Sequence, residues 1–330
     1  MMTAALCKKL GIEIPIIQAP MGGVTGPQLA AAVSNAGALG TLPLWRADID
    51  ALRRAVRETR AQTAKPFAVN LNMEFPQEQR LDACLDEGVP IISFFWKDPS
   101  PLVGRAKSGG AIVMHTVGSA RDARRAVDCG VDVVVAQGWE AGGHVRGTVA
   151  TMPLVPAVVD AAGDTPVVAA GGIADGRGMA AALALGASGV WIGTRFLAAK
   201  ETSIHPEYQQ RVLAATEDDT VYSENLFNVG WPNAPHRALR NSTAIKWEAA
   251  GRPPHGKRPG EGEIIATSKL RGNVVRYQSF SPGPEVVGEI EALSLWAGQS
   301  AALVRKVQSA GDIVREINNG AREVIQWLAR

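Results

Sequence analysis

The sequence predicts an α/β chain folded as a TIM (β/α)8 barrel, with a cap inserted after strand eight and C-terminal helices packing back on the barrel. Three observations lead there. Eight short, mostly apolar runs fall at residues 15–21, 39–44, 67–72, 91–95, 112–116, 133–137, 167–171 and 190–193. Stretches with helical spacing separate them. The last two runs end in small residues, Gly171-Gly172 and Gly193-Thr194. Such a barrel holds a phosphate at that place, on backbone N–H groups and a helix N-terminus.

The runs are short, most are rich in Val, Ile or Phe, and they are mostly apolar, as parallel strands buried on both faces are. Between the strands, residues 28–36 are Ala-rich. Residues 48–63 carry Leu52, Ala55 and Val56 at helical spacing, and 120–129 and 178–185 are further helices. Strand–helix alternation predicts a parallel sheet. Eight units, against the five or six of a doubly wound sheet, predict closure into a barrel spanning about residues 1–221. Residues 198–215 read as one helix. Residues 222–281 are richer in Pro, Gly, Asn and charge, and are expected to cap the barrel mouth. Pro282 to Pro284 mark a linker into the region 282–330, with helices at about 299–309 and 312–328. The second places Ile313, Ile317, Val324, Ile325 and Leu328 on one face, and should serve as the eighth outer helix.

Bulk properties narrow the class. A chain of 330 residues, 46% hydrophobic and 20% charged, suits one barrel with insertions. A formal charge of +2 creates no field for nucleic acid or anionic membrane. No run approaches the roughly 20 apolar residues of a membrane helix. The apolar run at the N-terminus is short for a signal peptide. Cys7, Cys84 and Cys129 are scattered, without a CxxC or Cys/His cluster. Neither a disulfide framework nor a metal site is expected, and a reducing cytoplasm fits. The sequon Asn241-Ser-Thr243 reads as chance.

In a barrel, ligand contacts come from strand C-termini and the loops after them. The first strand ends Gln18-Ala-Pro-Met-Gly-Gly23, whose small residues let backbone approach a flat ring. The third ends in Asn70, the fifth in His115 and the sixth in Gln137. Asn70 and Gln137 have two readings, ligand contact or hydrogen bonding to neighbouring loops. His115 is either a core histidine or a ligand contact. The loop after strand six is Gly138-Trp-Glu-Ala-Gly-Gly-His144. His144, after two glycines and over the mouth, is the catalytic candidate, since an imidazole moves protons near neutral pH. The run Gly251-Arg-Pro-Pro-His-Gly-Lys-Arg258 falls short of a P-loop: it lacks the final Ser/Thr and contains two prolines. No GxGxxG follows a strand, so a Rossmann site is not expected.

These segments, with Ala170-Gly-Gly-Ile173, Gly230-Trp-Pro-Asn-Ala-Pro-His-Arg237 and Trp296-Ala-Gly-Gln-Ser300, resemble the nitronate monooxygenase family of FMN-dependent TIM-barrel enzymes. The resemblance covers nearly the whole chain. It implies FMN as cofactor, with Ala19, Pro20, Met21 and Gly22 along the flavin ring and Asn70 and Gln137 hydrogen-bonded to it. His115 joins the expected cofactor contacts. The resemblance places Gly142, Ala170, Gly171, Gly172, Trp191, Ile192, Gly193 and Thr194 along the phosphate and ribityl side. Trp191 departs from the Gln that relatives often carry. His144 matches the family's active-site histidine. The implied reaction is oxidation of alkyl nitronates, or neutral nitroalkanes, with O2 to carbonyl compounds and nitrite, in a cytoplasmic monomer or homodimer. The alternative is an FMN-dependent NAD(P)H:quinone or enoyl-thioester reductase. A third reading, from another class, is a non-redox barrel that binds a sugar phosphate.

Overall fold

A computed structural model describes residues 2–330. The eight apolar runs form strands β1 (Ile16–Gln18), β2 (Gly40–Pro43), β3 (Phe67–Asn72), β4 (Ile91–Phe95), β5 (Ile112–Val117) and β6 (Val133–Gln137), then, after a two-residue strand β7 (Gly143–His144), β8 (Val167–Ala170) and β9 (Gly189–Ile192). Leaving β7 aside, they pair in parallel in the order β1-β9-β8-β6-β5-β4-β3-β2. An Ile17–Leu39 bridge closes the ring. There the Gln18 N–H donates to the Leu39 carbonyl at 2.9 Å and the Leu39 N–H to the Ile16 carbonyl at 3.0 Å. The Gln18 side chain reinforces the seam by accepting the Thr41 N–H at 3.0 Å.

Alternation along the strands sorts the side chains into two layers. Ile17, Met114, Val133, Val135, Val168 and Trp191 share the barrel interior. Helix α1 (Met2–Leu10) supplies Leu6 and Leu10 to the same cluster and so plugs the N-terminal end. The alternate residues Ile16, Val113, Val134, Ala169 and Val190 pack outward on the helices. These are α2 (Pro27–Asn35), α3 (Ile49–Gln62), α4 (Glu78–Asp86), α5 (Ser100–Ser108), α6 (Ala120–Asp128), α7 (Thr151–Ala162) and α8 (Gly176–Ala184). Side-chain caps fix several of their starts. Asp48 accepts the Ala51 N–H at 2.7 Å, and Asp175 accepts the Arg177 N–H at 2.9 Å.

Two expected helices are corrected. Residues 198–215 are not one helix: a 3₁₀ turn (Thr194–Ala198) is followed by a turn at Lys200–Glu201, irregular chain and then α9 (Pro206–Ala214). Pro206 has no N–H to give a preceding turn and fits only the start of a helix. Residues 299–309 form a 3₁₀ turn (Gln299–Leu303) and then run extended. Gln308 exchanges backbone hydrogen bonds with Ala198 and Lys200 at 3.0 and 2.8 Å, so its polar groups are satisfied across the chain instead of along a helix.

The segment after α9 builds two small antiparallel sheets around α10 (Ser242–Ala249). Strands β10 (Thr220–Ser223) and β11 (His236–Leu239) join β7, with His236 opposite His144. Strands β12 (Ile264–Ser268), β13 (Gly272–Val275) and β14 (Val286–Gly288) form the second, in the order β13-β12-β14. Phe227, Ala244, Trp247 and Tyr277 form a separate core there. The chain then returns to the barrel as α11 (Ala310–Leu328), which packs between α8 and α2 as the eighth outer helix. Its contact with α8 is close. A Cβ placed on Gly176 would lie 2.3 Å from the Gly320 carbonyl carbon.

Candidate active site

A cavity opens at the C-terminal ends of the barrel strands. Ala19, Pro20, Met21 and Gly22 line it after β1, and Asn70 at the end of β3. Gln137, Gly142 and His144 line it from β6 and the loop beyond. Ala170, Gly171, Gly172, Trp191, Gly193 and Thr194 complete it from β8 and β9. His115 and Ile192 are not among the residues lining this cavity. Met114 and Trp191 face the barrel interior, so their strand neighbours His115 and Ile192 face the helices. His115 is 4% exposed, and burial, aided by the Arg146 charge, pushes its pKa down to about 4. It is a neutral core histidine. Thr116, one residue on, takes the inward position.

The loop that carries His144 is held residue by residue. The Glu140 carboxylate accepts the Thr151 N–H at 2.9 Å at the start of α7. There it meets an unpaired N–H and the positive end of the helix. Gly142 presses on the chain at 297–298, where an added Cβ would come within 2.3 Å of the Gly298 nitrogen. Gly143 has φ +71°, a left-handed conformation that suits glycine. Gln137 Nε2 donates to the His144 carbonyl at 3.0 Å, and Oε1 accepts the Arg146 N–H at 3.4 Å. Beneath the loop, the buried Arg237 donates to the Trp139 carbonyl at 3.1 Å and lies 4.5 Å over the Trp139 ring.

His144 is therefore presented on a clamped loop, into a box of aromatic rings. Trp231 lies across the imidazole at 3.7 Å between centroids, tilted by 31°. Trp296 stands at 5.2 Å and Trp96 edge-on at 6.1 Å. His144 is partly exposed to the cavity, but its Nε2 is covered by protein and has no hydrogen-bond partner. Burial, with the nearby His236 and the Arg46 charge, holds its pKa well below the ordinary histidine value. The imidazole is neutral at pH 7. His236 is neutral too, with its pKa pushed down to about 4 by burial. Its Nε2 accepts the Phe227 N–H at 3.0 Å and its Nδ1 lies 2.9 Å from the Ala234 carbonyl, so Nδ1 carries the proton and the ring is structural.

At the opposite end, Gly171 and Gly172 have φ +98° and +73°. Gly193 opens the 3₁₀ turn, and Thr194 Oγ1 accepts the Gly298 N–H at 3.0 Å. Gly193 is instructive. Its φ of −107° needs no glycine, and a Cβ there would meet only Ala19 Cβ, at 3.5 Å. Backbone geometry and packing both permit a side chain, so the space in front of Gly193 is what a ligand would use. In the middle of the cavity, Asn70 Nδ2 donates to the Ser93 carbonyl at 3.1 Å, while its buried Oδ1 has no partner. Like His144 Nε2, this oxygen is covered by protein, so a ligand N–H reaches it only after a small shift of its neighbours. A glycine-lined end, a spare amide acceptor and a small-residue edge at 19–22 fit FMN: a phosphate, a flat ring and polar ring edges.

Sequence reasoning gave no roles to Trp45, Trp96, Trp231 or Trp296. Trp231 and Trp296 stood in the quoted motifs. Nothing in their spacing shows that distant indoles converge on one imidazole.

Comparison with known proteins agrees with this architecture. A dehydrogenase of Mycobacterium tuberculosis, named for (3aS,4S,5R,7aS)-5-hydroxy-7a-methyl-1-oxo-octahydro-1H-indene-4-carboxyl-CoA, is 40% identical over 250 residues, covering 75% of this chain and 69% of that protein. The nitronate monooxygenase of Paraburkholderia phytofirmans is 32% identical over 373 residues, covering 98% of this chain and 96% of that one. Among solved structures, FabK from Thermotoga maritima superposes with a TM-score of 0.83 at 34% identity, over 98% of both chains. The model of the nitronate monooxygenase family matches residues 3–79 and 72–320, and the chain belongs to that family.

Proposed function

We propose that the chain is an FMN-dependent oxidoreductase that oxidises alkyl nitronates with O2, giving a carbonyl compound and nitrite. The observation that carries the reading is a neutral imidazole on a clamped loop, in the same cavity as a glycine end that leaves room for a phosphate. Gly172, Gly193 and Thr194 would hold the phosphate through backbone N–H groups. Residues 19–22 would back the ring, and Asn70 Oδ1 would accept from its edge. Bound flavin supplies the redox chemistry, taking electrons from the substrate and passing them to O2. The protein orients the substrate and handles its proton. A neutral His144 offers a lone pair to the α-proton of a nitroalkane, although its depressed pKa makes it a weaker base than an ordinary histidine. Towards a nitronate it acts as a hydrogen-bond partner, not a cation. The indoles around it exclude water and receive the substrate's carbon skeleton, and reaching Nε2 requires one of them to shift. Trp231 and Ser281 line the cavity, which supports a role for the segment 222–281 as its substrate-side cover.

A second reading has its own support. The relative with 40% identity is named as a dehydrogenase of a CoA thioester. In that reading the same residues serve an acyl thioester or a reduced nicotinamide nucleotide. Anaerobic mixing of the FMN-loaded protein with a nitronate, NADH, NADPH or an acyl-CoA, while following flavin absorbance, separates the two. Bleaching by the nitronate supports the first reading. Bleaching only by a nucleotide or thioester replaces it.

A further inference from the structure

Arg46 and Arg271 come from different elements, each beside a segment that lines the cavity. Arg46 follows the cavity-lining Trp45. Its guanidinium donates to the Gly230 carbonyl at 2.9 Å, next to Trp231, and lies 4.6 Å from the Phe75 ring centroid. Arg271 sits at the tip of the β12–β13 hairpin, 6.0 Å from the ring of Phe280, which precedes the cavity-lining Ser281. The tip is ordered by Ser268, whose hydroxyl oxygen accepts the N–H groups of Leu270 and Arg271 at 3.2 Å each. That hydroxyl in turn donates to Glu285 at 3.0 Å.

The two guanidiniums differ from others in the same region. Arg276 pairs with Glu263 and Glu289, and Arg258 pairs with Glu261. Among the described residues, the acidic ion-pair partners fall to those arginines and none to Arg46 or Arg271. Arg46 is instead partly desolvated and faces a like charge: burial and then Arg271 lower its pKa. Its charge also reaches inward, where it disfavours protonation of His144. Arg46 is thus close enough to both Arg271 and His144 for its charge to be felt at each. Unpaired guanidiniums brought together are stabilised by an anion between them, and planar forks suit phosphate oxygens.

We propose that Arg46 and Arg271 bind the phosphate or diphosphate of an elongated substrate whose reactive end lies in the aromatic box beside His144. The inference deepens the second functional reading and rests on it. The phosphate has two sources, the tail of a CoA thioester or a nicotinamide nucleotide, and both present it to the same pair of arginines.

Calorimetric titration of the FMN-loaded protein tests this without turnover. The probes are CoA, NADP⁺ and pantetheine, which lacks the phosphates. Wild type should bind CoA or NADP⁺, and R46Q and R271Q should each weaken that binding by about tenfold, one charge-assisted contact apiece. Arginine dependence with CoA alone identifies the thioester tail; dependence with NADP⁺ alone identifies the nucleotide. R271Q lies on an exposed turn, so it keeps the test decisive should R46Q disturb the loop at Gly230. Unchanged affinity in R271Q, pantetheine binding as tightly as CoA, or no binding of CoA or NADP⁺ to wild type would each overturn the proposal. Flavin bleaching by a nitronate in wild type is scored separately, so failure of the redox reading is not confused with failure of the phosphate site.

Discussion

Replacing Gly193 with valine separates a ligand-driven glycine from a packing-driven one. In the free protein the substitution is nearly silent. The backbone at φ −107° lies outside the left-handed region, and the new Cβ would meet Ala19 Cβ at an ordinary 3.5 Å. The cost to folding should stay within about 0.5 kcal/mol. The valine methyls then enter the space assigned to the phosphate. A hydrogen bond to a charged group is worth about 1.5–3 kcal/mol. Losing two of them, from the Gly193 and Thr194 N–H groups, removes roughly 3–6 kcal/mol, or about 10²–10⁴-fold in FMN affinity. Gly142→Val is the contrasting control. Its Cβ would collide with the Gly298 nitrogen at 2.3 Å, so folding itself should fail, with or without flavin. The assay is FMN titration into stripped protein, followed by flavin fluorescence, alongside a thermal melt of each apoprotein. A Gly193→Val protein that melts like wild type and binds FMN with wild-type affinity would refute the phosphate placement.

Other outcomes follow from the same geometry. His144→Ala should retain FMN but lose about 10²–10⁴-fold in turnover, the usual worth of a positioned acid–base group. Stopped-flow flavin reduction should show the larger loss with neutral nitroalkane, because a preformed nitronate needs no base. Wild-type rates with both substrate forms would remove His144 from the chemistry. The depressed pKa of His144 predicts no loss of turnover as pH falls through 6.5; a rate profile that halves near 6.5 would contradict it. Stability should respond differently. His115 and His236 have folded values of about 4, below the ordinary 6.5, so their contribution is complete above pH 6.5 and is lost as pH falls towards 4. Each should cost about 2 kcal/mol by pH 5, read as a lowered melting temperature that His236→Asn partly relieves. Gly176→Ala should force α8 and α11 apart at Gly320 and destabilise by about 1–3 kcal/mol, measured by urea unfolding.

The barrel was legible because its strands are apolar on both faces and separated by helical spacing. β3, β4 and β6 occupy the expected residues. The same property hid the facing of single residues. In a strand buried on both sides, polarity does not tell inside from outside. His115 and Ile192 were therefore assigned to the site, although the pleat turns both towards the helices. Glycine positions were more informative, since Gly172 and Gly193 line the cavity as expected. The indoles escaped notice because Trp96, Trp231 and Trp296 lie far apart in the chain, and only the fold brings them around one imidazole. The helix expected at 198–215 ignored Pro206, and the one at 299–309 ignored the extended partner at Ala199.

The position of α11 has a consequence for how the chain reaches this structure. The last barrel strand ends at Ile192, and the helix that completes the outer wall begins at Ala310. During synthesis at about 5–20 residues per second, the strands emerge many seconds before that helix does. Throughout the interval α8 and α2 present an uncovered apolar groove, the one that Ile313, Val314 and Ile317 later fill. The nascent protein thus exposes this groove until α11 has emerged and docked. A chain stalled or clipped before Ala310 should be a chaperone substrate even with every strand of its barrel present.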